Sequence, residues 1–127
     1  MYALPVDAPL KMQWREAKAY AAALDAHGHK DWRLPSKDEL DDLYRNREKG
    51  ALRGTFSCAS VPDYSSAYWS STSYHDDTRY AWMKTFSDGF RYFCRMHSKH
   101  SARPVRSDPP PPKPPSKLWS ILNPWRR

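Results

Sequence analysis

Two histidines one residue apart, His27 and His29, stand between Asp25 and Asp31. Imidazole and carboxylate at such spacing can begin a zinc site, but a closed site needs a second ligand cluster, and the sequence holds none with ligand spacing. His75-Asp76-Asp77 offers too few fixed oxygens for a calcium loop. No metal is expected. The two cysteines, Cys58 and Cys94, lack metal-type spacing. In a reducing compartment both read as packing thiols; a disulfide between them is open only in an oxidising one. Nothing in the sequence marks either thiol as activated by a base. A nucleophile elbow, a phosphate-cradling glycine loop and a paired-carboxylate arrangement are also missing. The expected function is therefore non-enzymatic, with no cofactor.

A different chemistry is better represented. Tyr74, His75, Asp76 and Arg79 fall in one polar, aromatic stretch, and Arg91, Phe93, Arg95 and His97 follow at alternate positions. Tyr, Arg, His and Phe together supply amphipathic anchors and adaptable hydrogen-bonding groups, the composition of a binding face. The alternative is the solvated outer face of an antiparallel sheet. Phe93, set between two arginines, favours the binding face, because an exposed sheet hides such a ring only by covering it. From Arg91 to Arg106 there are five Arg or Lys, two His and no acid, within a net charge of +7. That excess suits acidic partners: nucleic acid, anionic glycans or an acidic protein surface. Nucleic acid is the weakest of these, since no fold-level motif supports it.

These residues need a frame, and the periodicities supply one. Trp14, Ala17, Ala21 and Leu24, widened by Tyr20, mark an amphipathic helix over about 13–26. Gly28 then stands where a left-handed helix cap would fall. Ser36-Lys37-Asp38-Glu39 is a capping box opening a second helix, with Leu40, Leu43 and Tyr44 as its apolar stripe and Gly50 as its stop. After a loop over 51–67 the period changes to two. Tyr68–Thr72 is a strand. Tyr80–Phe86 alternates, with Tyr80, Trp82, Lys84 and Phe86 on one face. Asp88-Gly89 signals a tight hairpin turn. Phe90–His97 returns, placing Phe90, Tyr92, Cys94 and Met96 on one face and Arg91, Phe93, Arg95 and His97 on the other. A short strand closes the set near 103–106. Two N-terminal helices followed by a small twisted antiparallel sheet with long loops is α+β.

The organisation is one domain over 1–108, a proline-rich linker over 109–116 and an aromatic-basic tail over 117–127. Of the eight residues 108–115, six are proline, which favours an extended polyproline II spacer. Trp119, Ile121, Leu122 and Trp125 beside Lys117, Arg126 and Arg127 read as a docking peptide for a partner or for a second copy. Packing of the tail on its own domain, or an idle tail, are the alternatives. No apolar run approaches the ~18 residues of a membrane span. The first residues carry neither a basic n-region nor a long apolar stretch, so no signal peptide is expected. A cytoplasmic or virion-associated location follows.

Five words occur in order: Trp14-x-x-Ala17; Asp31-Trp32-Arg33-Leu34-Pro35-Ser36-x-x-Glu39-Leu40; Tyr68-Trp69-Ser70-Ser71-Thr72; Ala81-Trp82-x-x-x-Phe86-x-x-Gly89; Arg103-Pro104-Val105-Arg106. This set, across about 12–106, resembles the Lcl C-terminal domain family, also called DUF1566. The resemblance implies a C-type-lectin-like fold related to the formylglycine-generating-enzyme group. Relatives of that kind occur in bacterial surface adhesins, in phage-encoded proteins and among the variable proteins of diversity-generating retroelements. It further implies a rigid framework whose late segments form the ligand-binding face. Trp14, Trp32, Trp69 and Trp82 become framework aromatics, and Arg33 and Arg106 become partners of acids such as Asp31 or Glu39. The family's opening Gly-Leu-x-Trp strand is not present, so residues 1–11 must take its place. The Glu-Pro-Asn, Gln-Pro-Asp and Trp-Asn-Asp words of calcium-dependent sugar binders do not occur either. Residues 90–101 are rich in types that pyrimidine-ending codons encode, as retroelement diversification would leave. Two functions stand open: a recognition or adhesion module for a protein or glycan receptor, and an intracellular or virion assembly subunit docked through its tail.

Overall fold

The computed structural model describes residues 1–57 and 66–107. In chain order these form β1 (Tyr2–Ala3), α1 (Trp14–Ala23), α2 (Lys37–Arg45), a 3-10 turn (Gly50–Leu52), β2 (Ala67–Ser73), β3 (Tyr80–Thr85), β4 (Arg91–Arg95) and β5 (Val105–Arg106). Helices precede an antiparallel sheet, so the fold is α+β. Cys58 and the proline-rich linker and tail lie outside the described residues.

Helix α1 buries Trp14, Ala17 and Ala21, as its three-and-four spacing requires. It stops at Ala23, short of the expected Ala26. His27 and Gly28 both have positive φ, 53° and 77°. They are the two central residues of a reversal closed by hydrogen bonds in both directions between Ala26 and His29, each 3.0 Å. Gly28 therefore serves a tight two-residue turn and not a helix end. The cause lies a few residues further on. The buried Trp32 donates its indole N–H to the carbonyls of Ala26 and His29, both at 3.2 Å, and pins this hairpin in place.

Helix α2 begins as its sequence dictates. The Ser36 hydroxyl accepts the Glu39 N–H at 3.1 Å, and the Glu39 carboxylate accepts the Ser36 N–H at 2.8 Å. The same carboxylate receives Arg33 in a two-pronged pair, at 2.6 and 2.8 Å. Arg106 meets Asp31 at 2.9 Å. Both arginines thus have the acid partners that the sequence suggested.

The three-stranded sheet has order β2-β3-β4, with Trp69 opposite Met83, Trp82 opposite Phe93 and Lys84 opposite Arg91. Its two faces are used differently. One carries Ala67, Trp69, Ala81 and Met83 and is covered by Trp14, Ala17 and Ala21 of α1, with Tyr92 and Cys94 beside them. The other carries Tyr68 and, just beyond β3, Phe86 against Leu40, Leu43 and Tyr44 of α2. Helix α2 covers only the Lys84 end of that second face. Lys84 is buried there, donating to Asp41 at 2.7 Å and to the Gly89 carbonyl at 2.6 Å. The Tyr80 and Trp82 end stays partly open.

The tight Asp88-Gly89 turn is not formed. The loop is wider, closed by Thr85 and Phe90 at 3.1 Å and by Gly89 to Thr85 at 2.8 Å. Phe86 is drawn into the core. Gly89 is held against Tyr44; a Cβ there would lie 2.5 Å from the ring, and its φ is 78°.

A second, two-stranded pairing joins the ends of the domain. Tyr2 and Ala3 pair with Arg106 and Val105. Leu4 continues to Pro104 at 3.0 Å, Ala8 to Ala102 at 2.8 Å and Met12 to His100 at 2.9 Å. The lead over residues 1–12 therefore runs along the last described segment, taking the place of the missing opening strand. Arg103 sits beneath it with no exposed surface. It donates to Asp7 at 3.0 and 2.6 Å, to the Leu4 carbonyl at 3.1 Å, and to the hydroxyl and carbonyl of Thr55. Its guanidinium also lies 4.0 Å from the Phe56 ring centroid. Tyr68 donates to the other Asp7 oxygen at 2.8 Å.

Arg103→Met leaves the Asp7 carboxylate and several carbonyls without their donor. It should lower unfolding free energy by about 3 kcal/mol in urea titration; a loss of a few tenths would contradict the role given to this contact. Acid should act through Glu39. The Arg33 guanidinium, against some burial, holds its carboxyl at about 2 instead of the usual 4.5. The folded state thus favours the ionised form. Its stabilisation is complete above the ordinary value and is lost as pH falls toward about 2. Urea midpoints measured across that interval should fall less steeply in Glu39→Gln than in the parent.

Candidate functional site

The open end of the second sheet face carries a compact group of rings. The irregularity in β2 between Trp69 and Ser73 lets the chain turn toward Tyr74, whose N–H bonds the Tyr80 carbonyl at 2.9 Å. Tyr74 then stacks on Phe93 with centroids 4.5 Å apart and planes 4° from parallel. Trp82 meets Tyr74 edge-on at 5.4 Å and Phe93 at 5.6 Å; Tyr80 meets Phe93 at 5.7 Å. Edge-to-face and offset pairs of this kind contribute roughly 0.5–1.5 kcal/mol each beyond the area they bury. The group is thus ordered before any ligand arrives. Phe93 nonetheless keeps 49% of its surface exposed.

Cations flank the rings. Arg95 lies over Tyr80 at 5.9 Å, and Arg79 over the same ring at 6.0 Å. Lys37, from the first turn of α2, lies 5.3 Å from the Trp82 centroid. Arg79 is fixed by a two-pronged pair with Asp77, at 3.0 and 2.7 Å. That pair holds the Asp77 carboxyl at about 2. Beside the ladder opens a cleft of about 320 Å³ lined by Gln13, Arg15, Thr78, Arg79, Met96 and His97.

The structure brings together Tyr74, Phe93, Arg79 and Arg95 of the residues that the sequence suggested, with His97 at the neighbouring cleft. His75 is exposed and leans on Tyr74 at 5.5 Å while pairing with Asp76 at 3.2 Å. Arg91 stands apart. Its guanidinium is committed to α2, reaching Asp38 at 2.7 Å and Asp41 more closely still. Burial works to raise the Asp41 carboxyl, but Arg91 and Lys84 outweigh it and the net direction is down. Arg91 therefore braces the helix against the sheet and is not available to the ring group. Trp14, Trp32 and Trp69 are buried framework residues, and each indole N–H finds a main-chain carbonyl. Trp82 is only half-buried and belongs to the ladder. Tyr80, Trp82, Lys37 and Arg15 were not singled out as site residues. The period of two did place Tyr80 and Trp82 on one face, but cross-strand register was needed to set Trp82 against Phe93. Trp119, Ile121, Leu122 and Trp125 lie outside the described residues.

Two further groups were weighed in the sequence. Among the described residues, no three His, Cys, Asp or Glu side chains converge as metal ligands. Cys94 Sγ does lie 3.4 Å from His100 Nε2, a contact that the sequence did not reveal. Burial, with Lys11 nearby, pushes the His100 imidazole below its usual value. A ring so depressed is a poor proton acceptor, and Trp69 closes over it at 5.0 Å. No described helix is long and apolar enough to cross a membrane.

The sequence pattern of the Lcl C-terminal domain matches residues 5–106. The chain belongs to the Lcl C-terminal domain family. A comparison with curated proteins finds no significant match. The family match covers every strand and helix after β1, and all residues of the ring ladder and its cleft fall inside it.

The Asp77–Arg79 pair sets the charge at the ladder's edge, and carboxyl titration followed by NMR tests it. Asp77 should show a midpoint near 2, and Arg79→Gln should return it toward 3.8. An unchanged midpoint would show that the pair does not persist in solution.

Proposed function

We propose that this Lcl C-terminal domain is a C-type-lectin-like, non-enzymatic recognition module. It grips a protein or glycan receptor with the open end of its sheet. One observation carries the reading: four rings are locked together by stacking and edge contacts, yet Phe93 at their centre is left about half exposed. A fold that only needed a core would cover that ring, as α2 covers Phe86. Packed aromatic anchors beside arginine are the residues that dominate binding energy at interfaces. Because the rings brace one another, little side-chain ordering remains to oppose binding. Calcium-dependent sugar recognition is not part of the proposal, and the late segment suits a surface that tolerates sequence variation on a fixed frame.

The full chain should be tested against immobilised glycans and a bacterial surface-protein extract, beside Phe93→Ser and a form lacking 109–127. Circular dichroism should show all three folded alike. The reading expects one ligand whose binding weakens about tenfold or more in Phe93→Ser and survives loss of the tail. Binding that ignores Phe93 but requires the tail would replace it with an assembly subunit docked through Trp119 and Trp125.

A further inference from the structure

The cleft beside the ladder has a charge imbalance that narrows the partner. Arg15, in the first turn of α1, and His97, just after β4, both line it with Arg79. Among the described residues, no carboxylate forms an ion pair with Arg15, Arg95 or His97. The acids nearby are committed elsewhere. Glu16 caps its own helix by accepting the Gln13 N–H at 3.0 Å, and Asp77 is held by Arg79. The cleft and the ladder are continuous: Arg79 contributes to the cleft and also lies over Tyr80, which touches Phe93. The apolar patch therefore adjoins, at Arg79, a cleft in which Arg15 forms no ion pair with a described carboxylate.

The geometry points to an acidic protein segment as the ligand, with an apolar side chain seated beside Phe93 and a neighbouring carboxylate against Arg15 in the cleft. This rests on the recognition reading above and names the partner's chemistry. Arginine forks suit carboxylates because two parallel N–H bonds match the two oxygens. A single-stranded nucleic acid or a polyanionic chain would be served by rings laid out singly along a track of charge. Here Phe93 has one neighbour stacked on it and two more at its edges. The partner so described needs both features at once, apolar and acidic, a short distance apart.

Three short synthetic peptides of equal length test this by fluorescence anisotropy with the full chain at physiological salt. One interleaves Glu with Phe, one replaces Phe by Ser, and one replaces Glu by Gln. The first should bind about tenfold tighter than either of the others. Phe93→Ser should erase its advantage over the Ser peptide, and Arg15→Gln its advantage over the Gln peptide. Equal binding of the two acidic peptides would overturn the proposal, since any polyanion, nucleic acid and acidic polysaccharide included, would then suffice. Absence of binding by all three would overturn it as well. The recognition reading is separable: receptor capture that still depends on Phe93 keeps it standing when the peptides fail, and Phe93-independence in both assays removes both.

Discussion

The buried guanidinium of Arg103 is the contact on which the fold depends. Three pieces of chain with little regular structure meet on it: the lead at Leu4 and Asp7, the loop at Thr55 and Phe56, and its own segment beside β5. None of the three has enough hydrogen-bonded strand to hold itself, since β1 and β5 are two residues each. A charge with no exposed surface is costly unless its donors are filled. Here carboxylate, hydroxyl and carbonyl oxygens fill them, and a ring covers its face. The Asp7 carboxylate is shared with the Tyr68 hydroxyl, so the knot is tied directly to β2. The Tyr68 phenol, in turn, is pushed well above its usual value by burial and stays a neutral donor. The sheet's position relative to the domain's two ends is thus set by electrostatics as much as by apolar packing.

With that frame fixed, the candidate site follows from a mismatch of areas. The sheet offers two faces, and α1 with the lead covers one of them. Helix α2, only nine residues long, cannot cover the other. It takes the end near Lys84, where Asp41 and Asp38 draw in Lys84 and Arg91. What it leaves open must be stable in water without a cover. The ladder solves this by packing rings on rings, so that much of the apolar area is buried within the group itself.

The local parts of this arrangement were legible in the sequence. The Ser36 capping box acts within four residues, and the Arg33–Glu39 pair spans one turn of chain into α2. The capping box is read from spacing alone; acid partners for Arg33 and Arg106 came with the family resemblance, which left Asp31 and Glu39 both open. The alternation of β4 correctly separated Phe93 and Arg95 from Tyr92 and Cys94. Contacts set by distant chain were not legible. Arg103 and Asp7 lie at opposite ends of the domain, and nothing local distinguishes this arginine from Arg95. Gly28 reads as a helix cap although Trp32, four residues on, makes it part of a hairpin, and the width of the loop at Asp88-Gly89 has no local signal. Arg91 shows the same limit most clearly. Periodicity put it on the binding side of the strand, and it is there, but the acids of α2 reach it first.

The contrast between Arg91 and Arg95 carries the functional argument further. They sit on one strand, four residues apart, on the same face, and have the same intrinsic chemistry. Arg91 is neutralised by two carboxylates and raises the cohesion of the framework. Among the described residues, Arg95 meets the Tyr80 ring and adds to the field at Asp77. A fold selected for stability alone gains little from leaving Arg95 without a described carboxylate beside a half-exposed ring. On the proposed reading, Arg95 and the uncovered ring are two aspects of one surface, which a partner both acidic and apolar would complete.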